Sequence, residues 1–218
     1  MNYSYPYPHP ALTVDALLFT YHNNCIKILL IKRAYEPFKG YWAFPGGFVE
    51  ENEKAEDAVY RELSEETGIQ GIHLQQFYTA SAPGRDPRGW TVSVMFYGFI
   101  PYDLARVQSG DDADDAAWHS ITNIPSLAFD HQEILHRAVD LLRTEAVLSV
   151  IGPGLLPEIF TRNEWLSCYE SITGSRKESE ILYDRLLGDD IIDSSKGEKQ
   201  LYFIEENVKR VKQFGFRS

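Results

Sequence analysis

The stretch GGFVEENEKAEDAVYRELSEETGI, residues 46–69, decides the fold because it places carboxylates at helical spacing. Glu62, Glu65 and Glu66 stand at i, i+3 and i+4, so all three side chains project from one side of a helix. Like charges at this spacing repel each other and destabilise a helix. Either water solvates an acidic helix face, or a cation lies between the carboxylates.

A helix is predicted from Glu53 to Thr67. Its apolar stripe consists of Ala55, Ala58, Val59 and Leu63. Gly68 is a natural end, because glycine adopts the left-handed conformation that commonly follows a helix.

Strands surround this helix in the predicted order of elements. The β-rich segments 12–21 and 26–32 are joined by the turn HNN at residues 22–24, which predicts a hairpin. Further strands are predicted at 73–80, 90–100 and 116–120, and a second helix at 131–148, from its apolar periodicity.

The segment IGPGLLPEIF, residues 151–160, predicts a domain boundary near residue 150, because it has two prolines and two glycines after a long helix. The expected domains are residues 1–150 and 151–218. In the second, Thr161 with Glu164 and Ser175 with Glu178 form capping-box patterns for two helices. Two short strands are predicted at 191–193 and 200–204. This order is typical of a winged helix-turn-helix.

Composition limits the classes of function. The chain has 218 residues and a formal net charge of −11, so bulk charge does not attract nucleic acid, although a local patch remains possible. Its two cysteines, Cys25 and Cys168, are not spaced as metal ligands and are expected to be reduced thiols. We expect a cytoplasmic protein, because neither a signal peptide nor a membrane-spanning stretch is present in the sequence.

A cluster of carboxylates suits a hard divalent cation, because magnesium prefers oxygen ligands and keeps several waters. Phosphate oxygens would complete the coordination shell, which points to phosphoryl chemistry. Gly46 and Gly47 would let the backbone approach the metal or substrate closely. Arg61 and Glu53 lie two helical turns apart, so a contact between them requires a folded-back loop, and we interpret this pair as structural.

The same stretch resembles the Nudix box, G-x5-E-x7-R-E-U-x-E-E-x-G-U, where U is aliphatic. The matching residues are Gly47, Glu53, Arg61, Glu62, Leu63, Glu65, Glu66, Gly68 and Ile69. The resemblance implies the α/β Nudix fold, a mixed sheet between helices, over roughly residues 8–148. It also implies hydrolysis of a nucleoside diphosphate linked to another group, with Mg²⁺ or Mn²⁺. The ligands it implies are Glu62, Glu65, Glu66 and the Gly46 carbonyl, and Glu53 is implied to pair with Arg61.

The loop SAPGRDPRGWTVS, residues 81–93, resembles the loop of Nudix enzymes and Nudix-derived sensors that handle ADP-ribose. Arg85 and Arg88 offer guanidinium groups for phosphate or ribose oxygens, and Asp86 is suited to orient one of them or to accept from a ribose hydroxyl. The alternative is a turn held by an Arg–Asp pair. Arg33, at the end of the second predicted strand, is a further candidate for substrate contact, or a surface residue.

Four further residues have open assignments. Asp111 and Asp112 lie where such enzymes place a mobile acidic loop, so we consider Asp112 as a candidate general base, against an acidic surface turn. Trp42 and Phe44 could stack a base, although aromatic residues in strands usually belong to the core.

A Nudix domain followed by a winged helix resembles bacterial regulators of NAD metabolism and sugar use, which sense a ligand such as ADP-ribose and bind operator DNA, usually as dimers. The candidate DNA contacts are Arg176, Lys177, Lys196 and Lys199. Residues 151–218 contain 10 Lys/Arg against 12 Asp/Glu, a thin supply of phosphate contacts. Instead, the second domain could serve only dimerisation or packing.

The intact box favours a magnesium-dependent pyrophosphatase that cleaves ADP-ribose or a relative to AMP and a sugar phosphate. The alternative is a ligand-responsive DNA-binding repressor with the same architecture. The two functions are not mutually exclusive, and a homodimer is expected from the resemblance.

Overall fold

The structure is a computed structural model that describes residues 6–107, 113–148, 151–195 and 200–207. The strands in these residues are β1 Ala11–His22, β2 Cys25–Arg33, β3 Trp42–Ala43, β4 Gly46–Phe48, β5 Leu74–Ala80, β6 Thr91–Phe99, β7 Ala113–Ser120, β8 Ile192–Asp193 and β9 Tyr202–Phe203. The helices are α1 Ala55–Thr67, α2 His131–Leu148, α3 Gly152–Leu155, α4 Arg162–Thr173 and α5 Arg176–Gly188. A 3₁₀ turn covers Tyr102–Leu104.

The main sheet is mixed and has β1 near its centre. Its strands follow the order β3-β2-β1-β6-β5, while β4 also pairs with β1 and β7 with β2. Strands β1 and β6 run parallel, and the other pairs are antiparallel. The predicted hairpin is confirmed, because β1 and β2 pair on either side of Asn23 and Asn24, which both adopt positive φ.

Helices cover both faces of this sheet. Successive side chains of β1 point to opposite faces. Val14, Ala16 and Leu18 pack in the core cluster that contains α1. Leu17 and Phe19 pack in the cluster that contains α2 and α4. Burial of each valine, leucine or phenylalanine side chain among these is worth about 1.5–3 kcal/mol. The predicted fold class, a mixed sheet between helices, is confirmed.

Helix α1 begins two residues later than predicted, with Lys54 as its N-cap. It ends where predicted, since Gly68 has φ of 74° and its N–H donates to the Ser64 carbonyl oxygen. Helix α2 covers the predicted residues 131–148.

Four further elements differ from the prediction. Strands β3 and β4 have two and three residues, too few to show a period of two. Helix α3 lies within the segment that we predicted as a break, because Pro153 is accepted in the first helical turn. Strand β7 begins at Ala113, three residues earlier than predicted.

The C-terminal segment forms the predicted helix, turn, helix and hairpin. Thr161 and Glu164 make the reciprocal capping box of α4, and the Ser175 side chain accepts from the Glu178 N–H at the start of α5. Strands β8 and β9 pair over two residues each, so both are shorter than predicted.

The C-terminal helices pack against the first part of the chain. Helix α4 contacts α5, β2 and α2, and α3 contacts β1 and β6. Trp165 and Tyr169, both fully buried, stack with ring centroids 3.9 Å apart. The hydrophobic core therefore continues from the sheet into α4, and the division at residue 150 stays a prediction. Cys25 and Cys168 are free thiols. In the described ranges, no helix has the length and apolar character needed to cross a membrane.

Candidate active site

A cavity of about 130 Å³ opens beside β1 and β4. It brings together all four residues predicted to bind substrate, Arg33, Arg85, Asp86 and Arg88, although they come from two separate segments. Gly46 and Gly47 form part of its wall. The cavity therefore joins the glycine pair of the box to the arginine-rich loop.

Arg61 connects helix α1 to the segment that precedes it in the box. Its Nε and Nη2 donate to the Glu53 carboxylate at 2.8 and 2.9 Å, and Nη2 also donates to the Phe48 carbonyl oxygen at 3.0 Å. These bonds lower the pKa of Glu53 to about 2. The backbone of residues 48–53 folds back over α1, so the structure forms the predicted Arg61–Glu53 contact.

The three predicted metal-binding carboxylates have different surroundings. Arg61 Nη1 donates to Glu62 Oε1 at 2.8 Å and to Glu65 Oε2 at 3.2 Å. The Glu62 side chain is 15% exposed and that of Glu65 is 60% exposed. Burial raises the pKa of Glu62, and the hydrogen bond from Arg61 opposes this rise. Glu66 is buried and accepts from the Gly46 N–H at 2.8 Å.

The two glycines have close neighbours that leave no room for a side chain. A Cβ atom on Gly46 would lie 2.1 Å from the Val14 carbonyl oxygen. A Cβ atom on Gly47 would lie 2.3 Å from Glu62 Oε1. Only glycine therefore allows residue 46 to lie this close to the β1 backbone, and at residue 47 a side chain would displace the Glu62 carboxylate.

The donor set fits a hard divalent cation in its chemistry, because carboxylate and carbonyl oxygens are the ligands that Mg²⁺ prefers. Among the described residues, no group of three His, Cys, Asp or Glu side chains is already arranged to hold a metal ion. Glu62 and Glu65 instead accept hydrogen bonds from Arg61. The metal site and its four ligands stay a prediction.

Arg85 forms a bidentate ion pair across the cavity wall. Its Nε and Nη2 donate to the two carboxylate oxygens of Asp130 at 2.9 and 2.8 Å, and its side chain is 5% exposed. The structure therefore directs two of its donors to Asp130, a partner that the sequence analysis did not identify. This pair fixes the segment 129–131 at the start of α2.

Asp86 and Arg88 form the Arg–Asp turn that was the alternative for this loop. Asp86 accepts from the Arg88 backbone N–H at 2.9 Å and from Nε and Nη2 of its guanidinium group. Burial raises the pKa of Asp86, but these bonds outweigh it and leave the pKa lowered. The Arg88 side chain is still 40% exposed and lies over the rings of Phe48 and Phe129. The turn does not remove Arg88 from the cavity.

Arg33 also lies close to the ring of Phe129. Its Nε donates to the Pro37 carbonyl oxygen at 2.9 Å, and its guanidinium carbon lies 4.9 Å from the Phe129 ring centroid. Burial lowers the pKa of Arg33, and the nearby charge of Arg88 adds to the effect. Phe129 has φ of +53°, which is strained for an aromatic residue and occurs most often at functional sites.

Asp15 and His131 also line the cavity, and the sequence analysis did not select them. Burial raises the pKa of Asp15 to about 6, and the hydrogen bond from the Ser93 hydroxyl opposes it. Burial, together with the charges of Arg85 and Arg33, lowers the pKa of His131 to about 3. The sequence offers one signal for Asp15, because it is the single carboxylate in the apolar stretch ALTVDALLFT.

The remaining residues that were predicted to contact substrate or DNA have different positions in the structure. Phe44 is buried and stacks on His131 with ring centroids 4.4 Å apart, and Trp42 is partly buried against the core. Asp111 and Asp112 lie outside the described residues, as do Lys196 and Lys199. Arg176 donates to Glu170 at 3.3 Å and to Asn163 at 3.2 Å. Lys177 is exposed on α5.

The sequence of this chain is similar to those of known proteins. The model of the NUDIX domain family matches residues 9–138. The "ADP-ribose pyrophosphatase" of Methanocaldococcus jannaschii is 43% identical over 129 residues, 59% of this chain and 73% of the relative.

Two relatives extend through the C-terminal segment. The "ADPR responsive transcriptional repressor NtrR" of Acinetobacter baylyi is 32% identical over 197 residues, 88% of this chain and 78% of the relative. The crystal structure of Shewanella oneidensis NrtR complexed with a 27mer DNA has a TM-score of 0.78 and 28% identity. The match covers 91% of this chain and 95% of that structure.

Proposed function

Since this chain belongs to the NUDIX domain family, we propose that it is a Mg²⁺-dependent pyrophosphatase that hydrolyses ADP-ribose, or a related nucleoside diphosphate, to AMP and a sugar phosphate. The observation that carries the proposal is the position of Glu66. Its buried carboxylate accepts from the N–H of Gly46, and Gly46 lines the cavity together with Arg33 and Arg88. Carboxylates and guanidinium groups thus meet where a diphosphate would lie.

The chain supplies the oxygen ligands for the cation. Glu62, Glu65, Glu66 and the Gly46 carbonyl would hold Mg²⁺ or Mn²⁺, after Glu62 and Glu65 exchange Arg61 for the metal. The cation would neutralise charge on the diphosphate and lower the pKa of a bound water. Arg61 remains fixed by Glu53 and the Phe48 carbonyl oxygen, and so keeps α1 against β4.

The arginines have different roles in this proposal. Arg88, which is the more exposed, and Arg33 bind phosphate or ribose oxygens through their guanidinium groups. Arg85 acts on the ligand through Asp130, because their bidentate pair fixes the wall at residues 129–131. Asp86 orients Arg88. The role of Asp112 as general base stays a prediction.

The relatives support the substrate class, because one is named an ADP-ribose pyrophosphatase and another is named ADPR responsive. The direct test is formation of AMP from ADP-ribose, followed by chromatography with Mg²⁺ present, beside a panel of other nucleoside diphosphates. We expect selective cleavage that chelation by EDTA abolishes. Binding of ADP-ribose without formation of AMP would contradict the enzymatic proposal.

A DNA-binding regulator is the second candidate function. It is favoured by the helix-turn-helix and hairpin of the C-terminal segment, and by the similarity of nearly the whole chain to NtrR and NrtR. In this proposal α5 reads operator DNA, ADP-ribose is the effector, and the chain acts as a homodimer.

The charges of α5 make this second candidate the weaker one. Its exposed charged side chains include Lys177 and Arg185 but also Glu178, Glu180 and Asp184. Arg176 is engaged by Glu170. DNA binding needs several cationic contacts to phosphates, and acidic side chains on the same helix repel them. We therefore place hydrolysis first.

A further inference from the structure

Asp15 and His131 form a buried polar pair that the proposed hydrolysis does not yet use. Their side chains are 12% and 3% exposed, and both line the cavity. Asp15 lies on the central strand β1, and His131 is the first residue of α2. The two side chains thus meet in the cavity wall, one from the sheet and one from the helix.

The hydrogen bonds of His131 define its tautomer. The Phe44 backbone N–H donates to His131 Nδ1 at 3.2 Å, so Nδ1 is an acceptor. The neutral ring then carries its proton on Nε2. His131 Nε2 is therefore a donor, and it points toward Asp15.

The two groups do not satisfy each other. His131 Nε2 lies 3.6 Å from Asp15 Oδ1, which is too long for a hydrogen bond. The other carboxylate oxygen of Asp15 accepts from the Ser93 hydroxyl. The pair therefore presents one donor and one acceptor, side by side, to the cavity. Both atoms can therefore bond to a group that enters the cavity.

A hydroxyl group meets both needs at once, because it donates one hydrogen bond and accepts others. Asp15 Oδ1 is adjacent to Gly46, since a Cβ atom on Gly46 would lie 3.0 Å from it. A hydroxyl bound there lies beside the proposed diphosphate position. A sugar attached to a diphosphate carries hydroxyls close to the phosphates, whereas the base lies farther from the phosphates.

We infer that Asp15 and His131 bind a hydroxyl of a ribose attached to the diphosphate of the ligand, and so select ribose-containing ligands. The inference rests on the proposed function, because it deepens the same site. Asp15 Oδ1 accepts the hydroxyl proton and His131 Nε2–H donates to the hydroxyl oxygen. Ser93 orients Asp15, and the Phe44 backbone N–H orients His131. The hydroxyl comes from the nucleoside ribose or from the second ribose of ADP-ribose.

The test measures dissociation constants by calorimetry in EDTA, which prevents turnover, for wild type, Asp15→Leu, which has no acceptor, and His131→Asn. Asn at residue 131 can still accept from the Phe44 N–H but lacks the Nε2 donor. Asp103→Asn, on the exposed surface, is the matched control. The ligands are ADP-ribose, ADP and 2′,3′-dideoxy-ADP. Thermal melting of each variant reports whether the fold is retained.

We expect both cavity variants to bind ADP-ribose at least about tenfold more weakly, the loss of one good hydrogen bond, and Asp103→Asn to bind as wild type does. If the second ribose supplies the hydroxyl, affinity for ADP is unchanged in the variants. If the nucleoside ribose supplies it, affinity for ADP falls and that for 2′,3′-dideoxy-ADP does not.

Two results overturn the inference alone: unchanged affinity for ADP-ribose in both variants, or an equal loss for all three ligands. A wild-type protein that neither binds nor hydrolyses ADP-ribose overturns the proposed function, and the inference with it. These outcomes are distinguishable because wild type is measured first.

Discussion

Gly47 and Glu62 pack so closely that a Cβ atom on residue 47 would lie 2.3 Å from Glu62 Oε1. Gly47→Ala should therefore push the Glu62 carboxylate away from β4. We expect ADP-ribose turnover to fall about 10²-fold, since small displacements of positioned groups cost this much. The free energy of unfolding should change little, because the atoms that must move are the end of a flexible side chain. Turnover and urea denaturation measure the two effects.

Gly188→Ala is the control for this variant. A Cβ atom on Gly188 would have no described atom within 4 Å, and the residue lies at the end of α5. We expect wild-type turnover from it. Equal turnover in Gly47→Ala and Gly188→Ala would show that the contact between residues 47 and 62 has no role in activity.

Glu66→Gln tests the proposed metal site. The glutamine carbonyl can still accept from the Gly46 N–H, so the fold should be retained. Loss of the negative charge should lower turnover by roughly 100-fold or more, because a metal ligand and its orientation are lost together. Glu56→Gln, exposed in the first turn of the same helix, should keep full activity. Near wild-type turnover in Glu66→Gln would remove Glu66 from the proposed ligands.

The parts of the fold that the sequence predicted are those with a repeating local pattern. Helix α2 has an apolar period over five turns, and α1 has an apolar stripe followed by Gly68. Strands β3 and β4 have two and three residues, and so carry no period. Their positions depend on pairing with β2 and β1, which is a tertiary effect.

The residues of the candidate site also divide into those that a local sequence pattern identifies and those that it does not. The residues of the box could be identified from their spacing and its resemblance to a family motif, and Arg85, Asp86 and Arg88 from the resemblance of their loop, because each group is close together in sequence. The pairs Arg85–Asp130 and Asp15–His131 join residues far apart in the chain. Nothing in the local sequence of either partner specifies the other, so only the packing of α2 on the sheet reveals them.

The Arg85–Asp130 pair provides a third prediction. Arg85→Lys keeps the charge but cannot form two parallel bonds to the carboxylate. We expect loss of about 1–3 kcal/mol in the free energy of unfolding, because the Arg85 side chain is buried. Affinity for ADP-ribose should fall as well, because residues 129–131 lose their anchor.

Arg143→Lys is the matched control. Arg143 pairs with Asp140 on the exposed face of α2, where ion pairs contribute about 0–1 kcal/mol. Stability and affinity should both stay near wild type. A loss in Arg85→Lys no larger than that in Arg143→Lys would contradict an anchoring role for Arg85.

His131 should make stability depend on pH. Its pKa is lowered to about 3 by burial, so the folded state favours the neutral ring. The resulting stability is fully present above the unfolded pKa of about 6.5 and is lost as pH falls toward 3. The difference in unfolding free energy between wild type and His131→Asn should shrink by about 1.4 kcal/mol for each pH unit below 6.5.

Asp15 contributes with the opposite sign, so wild type alone does not isolate the effect of His131. The pKa of Asp15 is raised to about 6, and its contribution to stability decreases as pH rises toward that value. Subtraction of His131→Asn removes the histidine contribution specifically. His136→Asn, on the exposed side of α2, serves as control. A difference between wild type and His131→Asn that is constant from pH 7 to pH 5 would contradict burial of a neutral His131.

The double variant Arg176→Ala with Lys177→Ala tests whether α5 reads DNA. Both residues lie at the start of this helix, where cations are few and Glu178 follows directly. If the chain is a regulator, wild type should select DNA duplexes from a random-sequence pool. The double variant should lose nearly all gel-shift affinity for these duplexes, because each lost phosphate contact weakens binding. Arg137→Ala with Arg143→Ala, two cations of α2, is the charge-matched control and should bind as wild type does. If both double variants bind the selected duplexes equally well, DNA binds elsewhere than the start of α5. If wild type enriches no duplex, the C-terminal segment is a packing module of the enzyme.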